Sequence, residues 1–85
     1  MTKVSKLIEQ FLRDPPEAKY DDVRYILEIF DFLKVRAKGS HYTFRNAQGL
    51  TITVPKKGGK VVKGVYIRQI VVLLKLKEWS DENNN

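Results

Sequence analysis

Leu33-Lys34-Val35-Arg36-Ala37-Lys38-Gly39-Ser40-His41-Tyr42-Thr43-Phe44-Arg45 alternates apolar with charged or polar residues on both sides of a Gly-Ser pair. That is the pattern of two strands joined by a tight turn. Period two sets Leu33, Val35 and Ala37 on one face of the first strand and Lys34, Arg36 and Lys38 on a basic outer face. After the turn, Tyr42 and Phe44 point one way while His41, Thr43 and Arg45 point the other. Asn46-Ala47-Gln48-Gly49 then turns the chain into a third strand carrying Leu50, Ile52 and Val54. The three antiparallel strands have an apolar face that needs a cover of helices.

The flanks supply that cover. Val4, Leu7, Ile8, Phe11 and Leu12 recur at helical spacing, which predicts a short amphipathic helix over residues 3 to 13, ended by Asp14-Pro15-Pro16. A second helix is predicted to start near Asp21 or Asp22, either of which caps free N–H groups, to bury Val23, Ile26, Leu27 and Phe30, and to stop around Asp31. The stretch from Gly64 to Trp79 is rich in β-branched residues, yet Ile67, Ile70, Val71 and Leu74 share one helical face and the run is long for a strand. It is predicted as one helix. The element order α-α-β-β-β-α makes the chain an α+β protein, read as a single domain over residues 1–85 with residues 1–14 an added helix, 21–77 the core and 80–85 a frayed polar tail.

Composition narrows the chemistry. The 85 residues include no cysteine, so disulfides, thiolate metal sites and a cysteine nucleophile are all excluded, and no cofactor is expected. The N-terminal stretch carries charges throughout and has neither the run of a signal peptide nor that of a membrane anchor, so a soluble cytoplasmic protein is expected. Lys and Arg outnumber Asp and Glu by 16 to 10. From Lys34 to Leu76 the cations Lys34, Arg36, Lys38, Arg45, Lys56, Lys57, Lys60, Lys63, Arg68 and Lys75 are not interrupted by one carboxylate. Such a segment points to a polyanion, with an acidic protein partner as the other reading.

The single histidine, His41, opens a strand beside the Gly39-Ser40 turn, and imidazole is the side chain that exchanges protons near neutrality. Lys56-Lys57-Gly58-Gly59-Lys60 is a Gly-rich basic loop able to bring backbone close to phosphate, though it lacks P-loop spacing. Lying ahead of the last helix, it and Lys63 are expected to act with the helix N-terminus on one phosphate.

The segments KGSHYTF (38–44), TITVPKKGGK (51–60) and VYIRQIVVLL (65–74), in this order and spacing, resemble the HicA family of small RNA-cleaving toxins from toxin–antitoxin pairs. The resemblance implies an α-β-β-β-α core like that of double-stranded-RNA-binding domains. It also implies a metal-independent endoribonuclease acting on mRNA, with His41 as the catalytic residue and a HicB-like antitoxin as partner. RNA contacts are then expected at Lys38, Gly39, Ser40, Lys56, Lys57, Gly58, Gly59, Lys60 and Lys63, and at Arg68, which matches an arginine common in the family. Two positions depart from the family's pattern. Asp31 stands where glycine is usual after the helix, and Lys57 stands where many relatives carry histidine. The second departure keeps a rival open, in which the same fold binds RNA or a protein without cutting; a purely protein-binding module is the third reading.

Overall fold

The computed structural model describes residues 2–83, and within them the chain runs α1 (Lys3–Leu12), β1 (Glu17–Lys19), α2 (Tyr20–Ile29), β2 (Leu33–Lys38), β3 (His41–Arg45), β4 (Thr51–Pro55), β5 (Val61–Lys63), α3 (Gly64–Leu73) and α4 (Leu76–Asn83). β2, β3 and β4 form an antiparallel sheet in that order, and β1 pairs with β5 in a second, two-stranded sheet. The architecture is α+β, with the HicA-like, double-stranded-RNA-binding-domain-like arrangement expected.

Helix starts follow local chemistry. Thr2 caps α1 in a reciprocal box with Ser5, each side chain serving the other's backbone N–H at 3.1 Å. The N-cap of α2 lies two or three residues before the predicted ones: it is Lys19, which makes no side-chain bond, while Asp21 and Asp22 lie in the first turn. There their charge favours the positive end of the helix dipole instead of capping it. Asp31 takes the left-handed conformation, φ 67°, where the chain leaves the helix.

One core gathers Leu7, Ile8 and Phe11 of α1, Val23, Ile26 and Leu27 of α2, Phe44, Ile52 and Val54 of the sheet, and Ile67, Ile70, Leu74 and Leu76 near the C-terminus. The last predicted helix is two helices. Lys75 has φ 53°, a left-handed break that ends α3 and turns α4, so that Leu76 is buried only two residues after Leu74 and Trp79 meets Phe30 edge-on at 6.5 Å. A continuous helix would set Leu74 and Leu76 about 200° apart. The segment read as a tail is helical through Asn83, whose amide donates to the Trp79 carbonyl at 2.7 Å; residues 84–85 lie outside the described residues.

Two further corrections bear on function. Cα partners run Leu33 with Arg45 and Lys34 with Phe44, then Arg36 with Thr43, Ala37 with Tyr42 and Lys38 with His41. Val35 is therefore a bulge, two residues opposing one, and it reverses the phase of the strand. Leu33 joins the outer face, Lys34 passes to the core side, and all of β2 is exposed. The strand pair β1–β5 has no counterpart in the predicted order. It places Glu17 opposite Lys63 and inserts a strand between the basic loop and α3.

Candidate active site

Pairing in the sheet lays out the outer face row by row. Lys38, His41 and Pro55 form the first row, Arg36, Thr43 and Thr53 the second, Leu33, Arg45 and Thr51 the third. Thr43 and Thr53 share a hydroxyl hydrogen bond of 3.1 Å across the middle. The helices pack on the opposite side, so His41, Lys38, Arg36 and Arg45 are all exposed on one surface. No Asp or Glu occurs in β2, β3 or β4.

The turn beside His41 is built by backbone. Gly39 has φ 59°, the left-handed geometry that two-residue hairpins with glycine first require, and the Ser40 carbonyl accepts the Lys56 N–H at 2.8 Å. That bond pins the start of the basic loop to the Gly-Ser turn. The loop itself is a tight reversal. Lys57 and Val61 exchange backbone bonds at 2.7 and 3.1 Å, the Lys57 carbonyl also accepts from Lys60 N–H at 3.1 Å, and Gly58 and Gly59 both have positive φ, 59° and 69°. Nothing lies within 4 Å of a Cβ built on either glycine, so both serve conformation and not close packing.

From there the lysines part company with the histidine. Lys56 follows Pro55, His41's cross-strand partner, and falls on the other side of the sheet. Its ammonium lies 4.5 Å from the centre of the Tyr20 ring and 5.6 Å from that of Tyr42. Tyr20 and Tyr42 contact each other at 5.0 Å, and Lys34 reaches Tyr42 from β2 at 5.4 Å. Tyr42 thus belongs to the inner side, as its alternation predicts. Lys56, Gly59 and Lys60 line a hollow of about 330 Å³ together with Lys19, Tyr20 and Asp21 at the start of α2. The site has two basic surfaces, one on each side of the sheet end, meeting at the Ser40–Lys56 bond.

The Tyr20 hydroxyl is buried with no hydrogen-bond partner among the described residues, and burial, assisted by the neighbouring Tyr42, pushes its pKa above the ordinary 10.0.

Lys63 and Arg68 lie elsewhere. Lys63 ends β5 opposite Glu17 and is the N-cap of α3, where the Gly64 N–H goes to the Pro16 carbonyl at 2.8 Å. The helix start is therefore occupied by the chain itself and separated from Gly58-Gly59 by β5. Arg68 makes a 2.9 Å ion pair with Asp14 and lines an apolar groove of about 600 Å³ with Ile52, Val65, Val72 and Leu73, between β4 and α3. The RNA contacts expected from the sequence leave out Arg36, Arg45 and Lys19, although Arg36 and Arg45 belong to the cationic segment. For Arg45 the signal was present, since alternation already set it on the face of His41.

The family model for the HicA toxin of bacterial toxin–antitoxin systems matches residues 20–78. The chain belongs to the HicA toxin family. Membership makes it a toxin of a toxin–antitoxin system and implies an antitoxin partner. The match starts at Tyr20, so it takes in the Gly-Ser-His turn, the basic loop and α3, and leaves out α1. No curated protein and no solved structure matches the chain. Among the described residues, no helix of this HicA protein is long and apolar enough to cross a membrane.

Proposed function

We propose that this HicA protein is an endoribonuclease that cleaves mRNA without a metal ion and is neutralised by a HicB-like antitoxin. The observation that carries the reading is the first row of the outer face, where His41 stands opposite Lys38 on an open cationic surface, beside a turn tied to the basic loop. His41 takes the proton of a ribose 2′-OH, the 2′-oxygen attacks the adjacent phosphorus, and the bond from phosphorus to the 5′-oxygen breaks as that oxygen takes a proton from solvent water. Lys38 faces the charge that develops on the phosphorane. Gly39 and Ser40 hold the turn. Lys56, Lys57, Lys60 and Lys63, with Gly58 and Gly59 setting the reversal, attract the flanking backbone. Arg68, away from this row, serves RNA or antitoxin at the groove between β4 and α3. The site works in the cytoplasm, where mRNA and antitoxin meet it.

One observation favours the binding-only reading. The His41 ring has no hydrogen-bond partner among the described residues, whereas a catalytic imidazole is usually oriented by a second group, and Lys57 offers no second imidazole. Incubation of purified protein with a long RNA in EDTA, followed by end-group analysis, separates the two. Products with a 2′,3′-cyclic phosphate and a 5′-OH support cleavage by internal attack. Intact RNA under conditions of tight binding overturns it.

A further inference from the structure

The third row of the outer face ends in a feature that cleavage chemistry leaves unused. Leu33 and Val35 are 60% and 53% exposed, and with Ala47 they form the apolar floor of a hollow of about 510 Å³ whose remaining walls are Asp31, Arg45 and Asn46. Large aliphatic side chains exposed together at a sheet edge are costly and mark a contact surface.

The occupant can be argued from the surroundings. A second copy of the chain adding a strand to β2 is opposed by the Val35 bulge, by the cations Lys34, Arg36 and Lys38 along that edge, and by a net charge of +6 on each copy. The hollow is instead continuous with the cationic face. Arg45, its wall, lies on His41's own strand and face, about 13 Å away, a distance that an extended single strand covers in about two nucleotides. We infer that the hollow between Asp31, Leu33, Val35 and Arg45 receives an unstacked nucleobase of the RNA whose phosphate lies at His41, and selects guanine.

Each wall has a task in that recognition. Leu33, Val35 and Ala47 offer an apolar bed to one face of the base. The Arg45 guanidinium can stack on a base plane or hold the neighbouring phosphate. Asp31 only accepts hydrogen bonds, and its two oxygens match the adjacent N1–H and exocyclic amino donors of guanine, whereas adenine, cytosine and uracil each present a single donor group on that edge. Asn46 has its side-chain oxygen engaged by the N–H groups of Gln48 and Leu50 at 3.1 and 2.9 Å, which fixes the loop that closes the hollow.

The inference rests on the ribonuclease reading, and its test keeps the two apart. Short oligoribonucleotides with a 2′-O-methyl group at the scissile position, and A, C, G or U in turn at each flanking position, are titrated by fluorescence anisotropy. Cleavage sites of the wild type are mapped in parallel on a long RNA. One position about two nucleotides from the cut is expected to favour guanine by about fivefold or more, the lower range for one bidentate base-edge contact. Asp31→Asn keeps a residue that tolerates the left-handed backbone and replaces one acceptor by a donor, so the preference for guanine collapses while overall affinity holds. Leu33→Ser with Val35→Ser, at two exposed positions, lowers affinity for all four bases at that position alone.

Cleavage with no base preference, a preference unchanged in both variants, or sedimentation of the wild type as a dimer that the serine variant abolishes would each overturn the base pocket. Base-selective binding without cleavage would sustain the pocket and overturn the ribonuclease reading.

Discussion

Replacing Gly64 by alanine tests how the functional half of the molecule is held to the rest. An ideal Cβ at this position would meet the Pro15 carbonyl oxygen at 2.5 Å and the Pro16 carbonyl oxygen at 3.1 Å, while the Gly64 N–H donates to that same Pro16 carbonyl at 2.8 Å. Both obstacles are main chain, so no side-chain rotation relieves them. Overpacking of this kind costs about 1–3 kcal/mol, and a contact this short against backbone belongs at the upper end. Alanine returns about 1 kcal/mol through its helix propensity. The net loss is about 2 kcal/mol, which for a domain of this size lowers Tm by about 8–16 °C. Gly59→Ala is the natural comparison, because its Cβ meets nothing and only the left-handed backbone, about 1 kcal/mol, opposes it. Thermal melts followed by circular dichroism read both. A Gly64→Ala protein as stable as the wild type would show that α3 does not start against the Pro15-Pro16 backbone, and the placement of β5 would fall with it.

His41→Gln should lower single-turnover cleavage by about 10²- to 10⁴-fold with RNA affinity and melting temperature unchanged, and wild-type cleavage by this variant would remove His41 from the chemistry. Replacing Lys56, Lys57 and Lys60 together by alanine should weaken RNA binding and flatten the log–log salt dependence by up to about 2, at about 0.7 per single-strand phosphate contact; an unchanged slope places the backbone contacts elsewhere. Tyr20→Phe removes a buried hydroxyl that lacks a partner, and should raise stability by about 1 kcal/mol in denaturant melts at neutral pH. Because the folded state raises the Tyr20 pKa above 10.0, its contribution is intact below that pH and is lost as pH rises through the folded value. The wild type should therefore lose stability relative to Tyr20→Phe above pH 10.0, and parallel pH profiles would refute the burial of this hydroxyl.

The elements readable in the sequence were those whose signal is local. Leu7, Ile8 and Phe11 repeat at helical spacing over a whole helix, and the Gly39-Ser40 turn separates two alternating runs, so α1, β2 and β3 could be found without tertiary information. Phase was another matter. Leu33, Val35 and Ala37 alternate perfectly, and only the partners across the sheet reveal that Val35 is an extra residue. β1 was too short to read, since Glu17-Ala18-Lys19 offers a single apolar residue between two charges and becomes a strand only because Val61-Val62-Lys63 lies beside it. The Lys75 break carries neither glycine nor proline; the burial of Leu74 and Leu76 together makes it necessary. In the site, alternation set His41 on the outer face. The position of Lys56 over two tyrosines, one of them from α2, depends on contacts between elements that no short window contains.

The small β1–β5 ladder has a consequence for the order in which the chain takes shape. Its partners, Glu17 and Lys63, are 46 residues apart, whereas the β2–β3 and β3–β4 pairs close across turns of a few residues. Loop-closure entropy rises with the logarithm of that separation, and contacts distant in sequence slow folding. The meander therefore assembles early, as a hairpin and its extension, and the ladder shuts behind it as a clasp between the two halves. A clasp of three residue pairs that closes last is also among the first to open. Since the Tyr20 N–H bonds to the Lys60 carbonyl at 2.8 Å, each opening releases the Gly58-Gly59 reversal from α2, while the hairpin bearing His41 stays formed.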